Sequence, residues 1–289
     1  MSVGTDNVSI LQGPDTPSTR PIEASLATLR AGVELFLFVS LSLAGMPIQG
    51  VFVALKMRRA RASFPVLYHR ILTRLILGMK VREIGTPVKD GPVLIVSNHN
   101  SWLDIPVLGA TGPLSFIAKS EVAGWPLFGW LAKLQRTVFV ERDAKTKAAE
   151  QAAELLGRLK DDDRLVLFAE GTSSDGNRVL PFNSSLFGVA QLAEMDNELP
   201  SLTIQPVTVT YAKVHGVPMG RYYRPFFAWY GDMEMAPHLW AAFGLGPIDV
   251  IVTYHEPLTL KEAGNRKKLA RQAEQRTRMG MVKALHRAT

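Results

Sequence analysis

Of the six histidines in the chain, one stands where chemistry can be expected. Asn98-His99-Asn100-Ser101-Trp102-Leu103-Asp104 follows directly on the apolar run 92–96. A histidine at the end of a strand and an aspartate in the first turn of the next helix can point at one another. The carboxylate then fixes the imidazole tautomer and supports its charged form. The other ring nitrogen is left free as a general base. His99 and Asp104 are therefore the candidate catalytic pair. The spacing alone is a weak signal, and its context has to carry the assignment. A second polar segment, Phe168-Ala169-Glu170-Gly171-Thr172, also ends an apolar run.

Other chemistries are excluded by what is missing. With no cysteine there is no disulfide, thiolate zinc site, iron–sulfur cluster or catalytic thiol. Neither G-x-S-x-G, Walker A nor G-x-G-x-x-G occurs, which argues against a nucleophile elbow and against nucleotide binding by those devices. His255-Glu256 is followed by Pro257 and cannot open a zinc-binding helix. His69, His215, His238, His255 and His286 have no partner constellation and read as surface or structural residues. Asp161-Asp162-Asp163 reads as a solvated turn, since consecutive carboxylates point in different directions. No metal is expected.

The elements that must position His99 follow from hydrophobic periodicity. Residues 81–85, 92–98, 137–142, 163–170, 202–211 and 249–258 read as strands, the second buried on both faces. Residues 103–111, 120–134, 145–160 and 186–196 read as helices. The alternation predicts an α/β fold with a mixed, largely parallel sheet flanked by helices. Active sites in such sheets gather at the carboxyl ends of strands.

The remainder of the chain speaks of a membrane. Residues 35–55 carry no formal charge over 21 positions, about the length needed to cross a bilayer core. Gly45, Pro47, Gln49 and Gly50 interrupt the run, so it can also be two shorter interfacial helices. A cationic block follows, from Lys56 to Arg82 without one acid. By the positive-inside rule it faces the cytoplasm, and it attracts anionic headgroups. The net charge is +7. Residues 261–289 contain nine basic and two acidic residues and therefore hold that whole excess. They contain no aromatic residue, which argues for an anionic membrane rather than nucleic acid as partner. The organisation expected is a disordered tail at 1–22, a membrane-associated helical segment with a basic flank at 23–79, and a catalytic domain at 80–289 ending in a basic helix.

In this context the two polar segments resemble a family. Asn98-His99-x4-Asp104 is similar to the N-H-x4-D box of the 1-acylglycerol-3-phosphate (glycerolipid) acyltransferases. Phe168-Ala169-Glu170-Gly171-Thr172 resembles their F-P-E-G-T box, with Ala169 in place of proline. The segments 117–122 with Lys119, 138–142 with Arg142, and 204–209 with Pro206 resemble further blocks in the family's order. The resemblance implies a membrane lysolipid O-acyltransferase that uses acyl carrier protein or coenzyme A thioesters and no cofactor. It implies that Asn98, Glu170, Gly171 and Thr172 hold the acceptor, and that Lys119 and Arg142 hold anionic groups. It places the enzyme at the cytoplasmic membrane with its site on the cytoplasmic side. One departure bears on the acceptor. The family's E-G-T box continues with an arginine taken to grip a phosphate, and here Ser173 stands in its place. The string 168–182 resembles the branch that acylates lyso-ornithine lipid, an acceptor without a phosphate. Arg178 stands near enough to replace the missing cation, which keeps 1-acylglycerol-3-phosphate as the alternative acceptor.

Overall fold

The computed structural model describes residues 21–141, 148–196 and 201–288. The tail expected at 1–22 lies outside them except for Pro21 and Ile22, and Arg142 lies outside them too. In chain order the helices are α1 (Pro21–Ala54), α2 (Arg58–Ile71), α3 (Asp104–Gly109), α4 (Phe128–Leu134), α5 (Ala148–Lys160), α6 (Gly188–Met195), α7 (Met235–Gly244), α8 (Leu260–Ala263) and α9 (Arg266–Ala288). The strands are β1 (Lys80–Ile84), β2 (Val93–Ser97), β3 (Ser115–Lys119), β4 (Val138–Val140), β5 (Leu165–Phe168), β6 (Thr203–Val214), β7 (Val217–Pro218) and β8 (Ile248–Tyr254).

They form one sheet in the order β1-β8-β6-β2-β5-β3-β4, with β7 paired to β6. β6 runs antiparallel to β8 and β7, and the other pairings are parallel. The mixed, largely parallel sheet is as expected. β2 sits centrally between β5 and β6, and all five of its residues are buried. That is why its sequence is continuously apolar rather than alternating.

Alternate residues of each strand feed two cores. Val93 and Ile95 of β2, Val166 and Phe168 of β5 and Val207, Val209 and Tyr211 of β6 pack with α1, α3 and α7. Leu94 and Val96 pack the other way, with Leu155 and Leu159 of α5, Ala190 of α6 and Leu269 and Ala273 of α9. β3 and α7 were not expected. Residues 120–134 form two short helical pieces rather than one helix, a 3-10 turn at Ser120–Gly124 and α4, because Pro126 intervenes.

Of the two alternatives for residues 35–55, one helix or two shorter ones, α1 is the first. The helix runs unbroken through Pro47 and ends at Ala54, and the turn falls at residues 55–57, with Lys56 at φ 51°. Gly45 is buried against α2, where a Cβ would make ordinary contact with the Phe64 ring at 3.6 Å. The buried positions 31, 34, 38, 42, 45 and 49 form one stripe at spacings of three and four. That stripe packs on α7, α2 and α4. The outer face leaves Leu26, Leu29, Phe36, Leu43, Ile48 and Val51 exposed. By length and composition Ser25–Ala54 is apolar enough to cross a membrane.

Candidate active site

The chain leaves β2 at Ser97 and enters α3 at Asp104, so the intervening loop sits at the carboxyl end of the central strand. Asn98 braces that loop. Its amide donates to Val209 O at 3.0 Å and accepts from Val209 N at 2.9 Å, which extends the β2–β6 pairing by a side chain. Asn100 also donates to Val209 O, and Ser174 N donates to His99 O at 2.8 Å. The two polar segments are thereby tied to each other and to β6.

His99 Nδ1 and Asp104 Oδ2 are 2.9 Å apart. The same oxygen accepts from the backbone N–H of Asn100 (2.6 Å) and Ser101 (3.0 Å). The hydroxyl of Tyr211 donates to Asp104 Oδ1 at 2.8 Å. Asp104 is wholly buried, and four donors satisfy it. Burial above all, then the charge of Asp104, holds the Tyr211 phenol well above its usual pKa, so it remains a donor. The His99 ring stacks on Phe168 with centroids 4.0 Å apart. Ring plane and tautomer are both set, and Nε2 is the nitrogen left to act.

His99 lines a largely apolar cavity of about 390 Å³ between the sheet end and the α1–α2 pair. Lys119, Gly171, Thr172 and Ser173 line it as well. Phe38, Trp102, Phe128 and Trp125 supply apolar wall. Gly171 turns the chain at φ 76°, a conformation that favours glycine, three residues beyond the end of β5. Ser173 Oγ donates to Trp229 O at 2.5 Å, which pins the 220–234 segment beside the cavity.

Three expected substrate contacts are placed elsewhere. Asn98 is fully buried, with its amide engaged by Val209, and does not reach the cavity. Glu170 lies beneath the lining. Burial pushes its carboxyl up to about 9, against the opposing effect of the backbone amides of Leu180 and His99. Burial thus favours its uncharged form at neutral pH over a charge offered to a ligand. Arg178 is exposed and outside the cavity lining. Tyr211 was missed because 107 positions separate it from Asp104. Its position at even spacing from Val207 and Val209, on the His99 face of β6, was the available signal. Among the other histidines, His238 accepts from Trp102 Nε1, His255 pairs with Thr208, and His69 pairs with Gln135, all structural contacts.

Residues 79–210 match the acyltransferase family model. The chain is 46% identical over 260 residues to the lyso-ornithine lipid O-acyltransferase of Brucella abortus, covering 90% of this chain and 97% of that protein. The chain belongs to the acyltransferase family. This acyltransferase is also 41% identical over 242 residues to the lyso-ornithine lipid O-acyltransferase of Rhizobium meliloti, covering 84% of this chain and 82% of that one. It is 34% identical to the 1-acyl-sn-glycerol-3-phosphate acyltransferase of Neisseria meningitidis, over only 40% of this chain and 46% of that one. The fold matches the crystal structure of the 1-acyl-sn-glycerophosphate acyltransferase of Thermotoga maritima, with TM-score 0.63 and 21% identity over 89% of this chain and 97% of that one. The enzyme therefore transfers acyl groups, and its apolar α1 agrees with association with membranes.

Proposed function

We propose that this acyltransferase moves a fatty acyl group from an acyl thioester to the hydroxyl of lyso-ornithine lipid. The observation that carries acyl transfer is the His99–Asp104 pair at the edge of an apolar cavity. The acceptor hydroxyl attacks the thioester carbonyl carbon while His99 Nε2 takes its proton. The tetrahedral intermediate then expels the thiolate, which leaves as the thiol with the proton from His99. Without a cysteine or an elbow serine, direct transfer is favoured over a covalent acyl-enzyme.

The Asn100 and Ser101 amides are engaged by Asp104. The Gly171 amide is engaged by Phe168 O, so oxyanion stabilisation falls to the Thr172 and Ser173 amides at the cavity edge. Tyr211 holds Asp104, and through it His99, in place. Lys119 faces the anionic part of a substrate.

The acceptor assignment draws on the similarity to lyso-ornithine lipid O-acyltransferases over nearly their whole length. Ser173 supports it. The cavity side of this position carries a hydroxyl tied to Trp229 O, where a phosphate would call for a bidentate cation. The acyl chain fills the cavity between α1 and α2.

The exposed apolar face of α1, with Leu67, Leu75, Trp130 and Trp240, rests in the bilayer, so that α1 lies along the membrane rather than through it. Arg58, Arg59 and Arg74 meet anionic headgroups on the cytoplasmic side of the inner membrane. Acyl carrier protein, itself acidic, is the donor that suits the basic α9. Purified protein in detergent, given labelled acyl carrier protein and lyso-ornithine lipid, should yield labelled ornithine lipid. Transfer to 1-acylglycerol-3-phosphate alone would reject this acceptor.

A further inference from the structure

The turn Gly171-Thr172-Ser173 at the cavity edge carries no charge. Beyond it, residues 174–177 pack against residues 220–229. Ser174 N donates to His99 O (2.8 Å) and Trp229 N to Asn100 O (2.8 Å), so both segments are tied to the loop that holds the base. Asn177 Nδ2 donates to Arg221 O at 3.1 Å. Gly176, at φ 74°, lies against Arg224, where a Cβ would stand 3.7 Å from both Cβ and O of the arginine. This packing brings Asp175, Arg221 and Arg224 together beside the His99 loop.

Arg224 is only 9% exposed. Its Nε makes one long bond, 3.4 Å, to Gly220 O. Among the described residues its terminal nitrogens have no acceptor, and they are not sealed from solvent. Burial above all, then the charge of Arg221, lowers its pKa, against the opposing charge of Asp175. Asp175 is half-buried, and its carboxylate accepts from Asn177, from the backbone N at 3.0 Å and from Nδ2 at 3.3 Å. Arg224 and Asp175 thus feel each other's charge, yet among the described residues neither forms an ion pair. Neither lines the apolar cavity.

Two opposite charges, each partly desolvated and neither paired, call for a ligand that brings the opposite of both. A phosphate would suit the guanidinium groups and be repelled by Asp175. An amino-acid head group offers a carboxylate to the one and an ammonium to the other. We infer that Arg224 and Asp175 hold a zwitterionic head group of the acceptor, Arg224 by its carboxylate and Asp175 by its ammonium. The head then lies outside the apolar cavity, next to the loop whose histidine takes the proton from the acceptor hydroxyl. This rests on reading the acceptor as lyso-ornithine lipid, and it assigns the residues that select its head group, in place of a cation on the 171–173 turn.

The test removes one charge at a time from the lipid and from the protein. Four acceptors are assayed with the full-length protein in mixed micelles and one acyl carrier protein thioester. They are lyso-ornithine lipid, its analogue with a carboxamide for the carboxylate, its analogue with the amine acetylated, and 1-acylglycerol-3-phosphate. In wild type each neutralised analogue should lose roughly 10- to 100-fold in kcat/KM, mainly through KM. In Arg224→Gln the penalty on the carboxamide should vanish while that on the acetylated amine persists. In Asp175→Asn, which keeps an acceptor for the Asn177 N–H, the reverse should hold. The wild-type comparison stands by itself if either variant fails to fold. Equal kcat/KM for the lipid and both analogues in wild type would overturn the inference and leave the acceptor in place. Either variant keeping both penalties at full size would overturn it too. Transfer to 1-acylglycerol-3-phosphate in place of all three ornithine lipids would overturn the acceptor itself, and this assignment with it.

Discussion

The loop holding His99 and the wall formed by α1 and α2 face the same cavity and are built differently, one from a polar network and the other mainly from apolar side chains. Around Asp104 both carboxylate oxygens have donors, and the flanking asparagines are tied to Val209. Along α1 and α2, Phe38, Gly45, Met46, Phe64 and Pro65, with Leu72 just beyond, make up most of the wall. The donors on Asp104 hold one geometry, as a proton transfer between fixed atoms requires. The α1–α2 wall offers mainly apolar contact, which suits an acyl chain. The sheet end thus sets the chemistry, and the helical wall receives the apolar part of the substrate.

The sharpest way to break this contrast is at the base. His99→Ala should lower kcat by about 10²–10⁴-fold with an unchanged thermal midpoint. Activity within threefold of wild type would remove His99 from the mechanism. Asp104→Asn should approach the same loss, since an amide no longer fixes the tautomer, and a fully active variant would make Asp104 a mere capping residue. Ser173→Arg should shift the ratio of kcat/KM toward 1-acylglycerol-3-phosphate by roughly 10- to 100-fold. It also deletes the tie to Trp229 O, so the ratio rather than the absolute rate is the readout.

Tyr211→Phe should cost about tenfold in kcat at unchanged KM, because it frees Asp104 Oδ1 without touching substrate. A change confined to KM would contradict a positioning role. A separate effect is on stability rather than on rate. The folded-state pKa of Glu170, about 9, lies above its unfolded value of 4.5. Its contribution is therefore fully present below pH 4.5 and is lost as pH rises toward 9. Glu170→Gln should remove that loss, so its stability relative to wild type should climb across this interval in chemical denaturation. A pH-independent difference would show that the carboxyl is ionised in the fold.

What could be read from sequence follows the same division. His99 and Asp104 are five residues apart, and local geometry alone brings them together. β2 was legible because burial on both faces leaves only apolar residues. Tyr211 and the bond from Gln49 to Leu134 depend on contacts across 107 and 85 positions, which no periodicity records. The misplaced roles of Asn98 and Glu170 have the same origin. A motif names residue types, and burial decides whether a side chain meets the ligand or braces the one that does.

The central claim is transfer to a hydroxyl on a lipid without a phosphate. The direct test is kcat/KM for lyso-ornithine lipid and for 1-acylglycerol-3-phosphate, measured on the same wild-type preparation with the same acyl carrier protein thioester. The account predicts a preference for lyso-ornithine lipid of at least about tenfold, unaltered in Arg178→Ala. A preference for the phosphate acceptor that disappears in Arg178→Ala would contradict it.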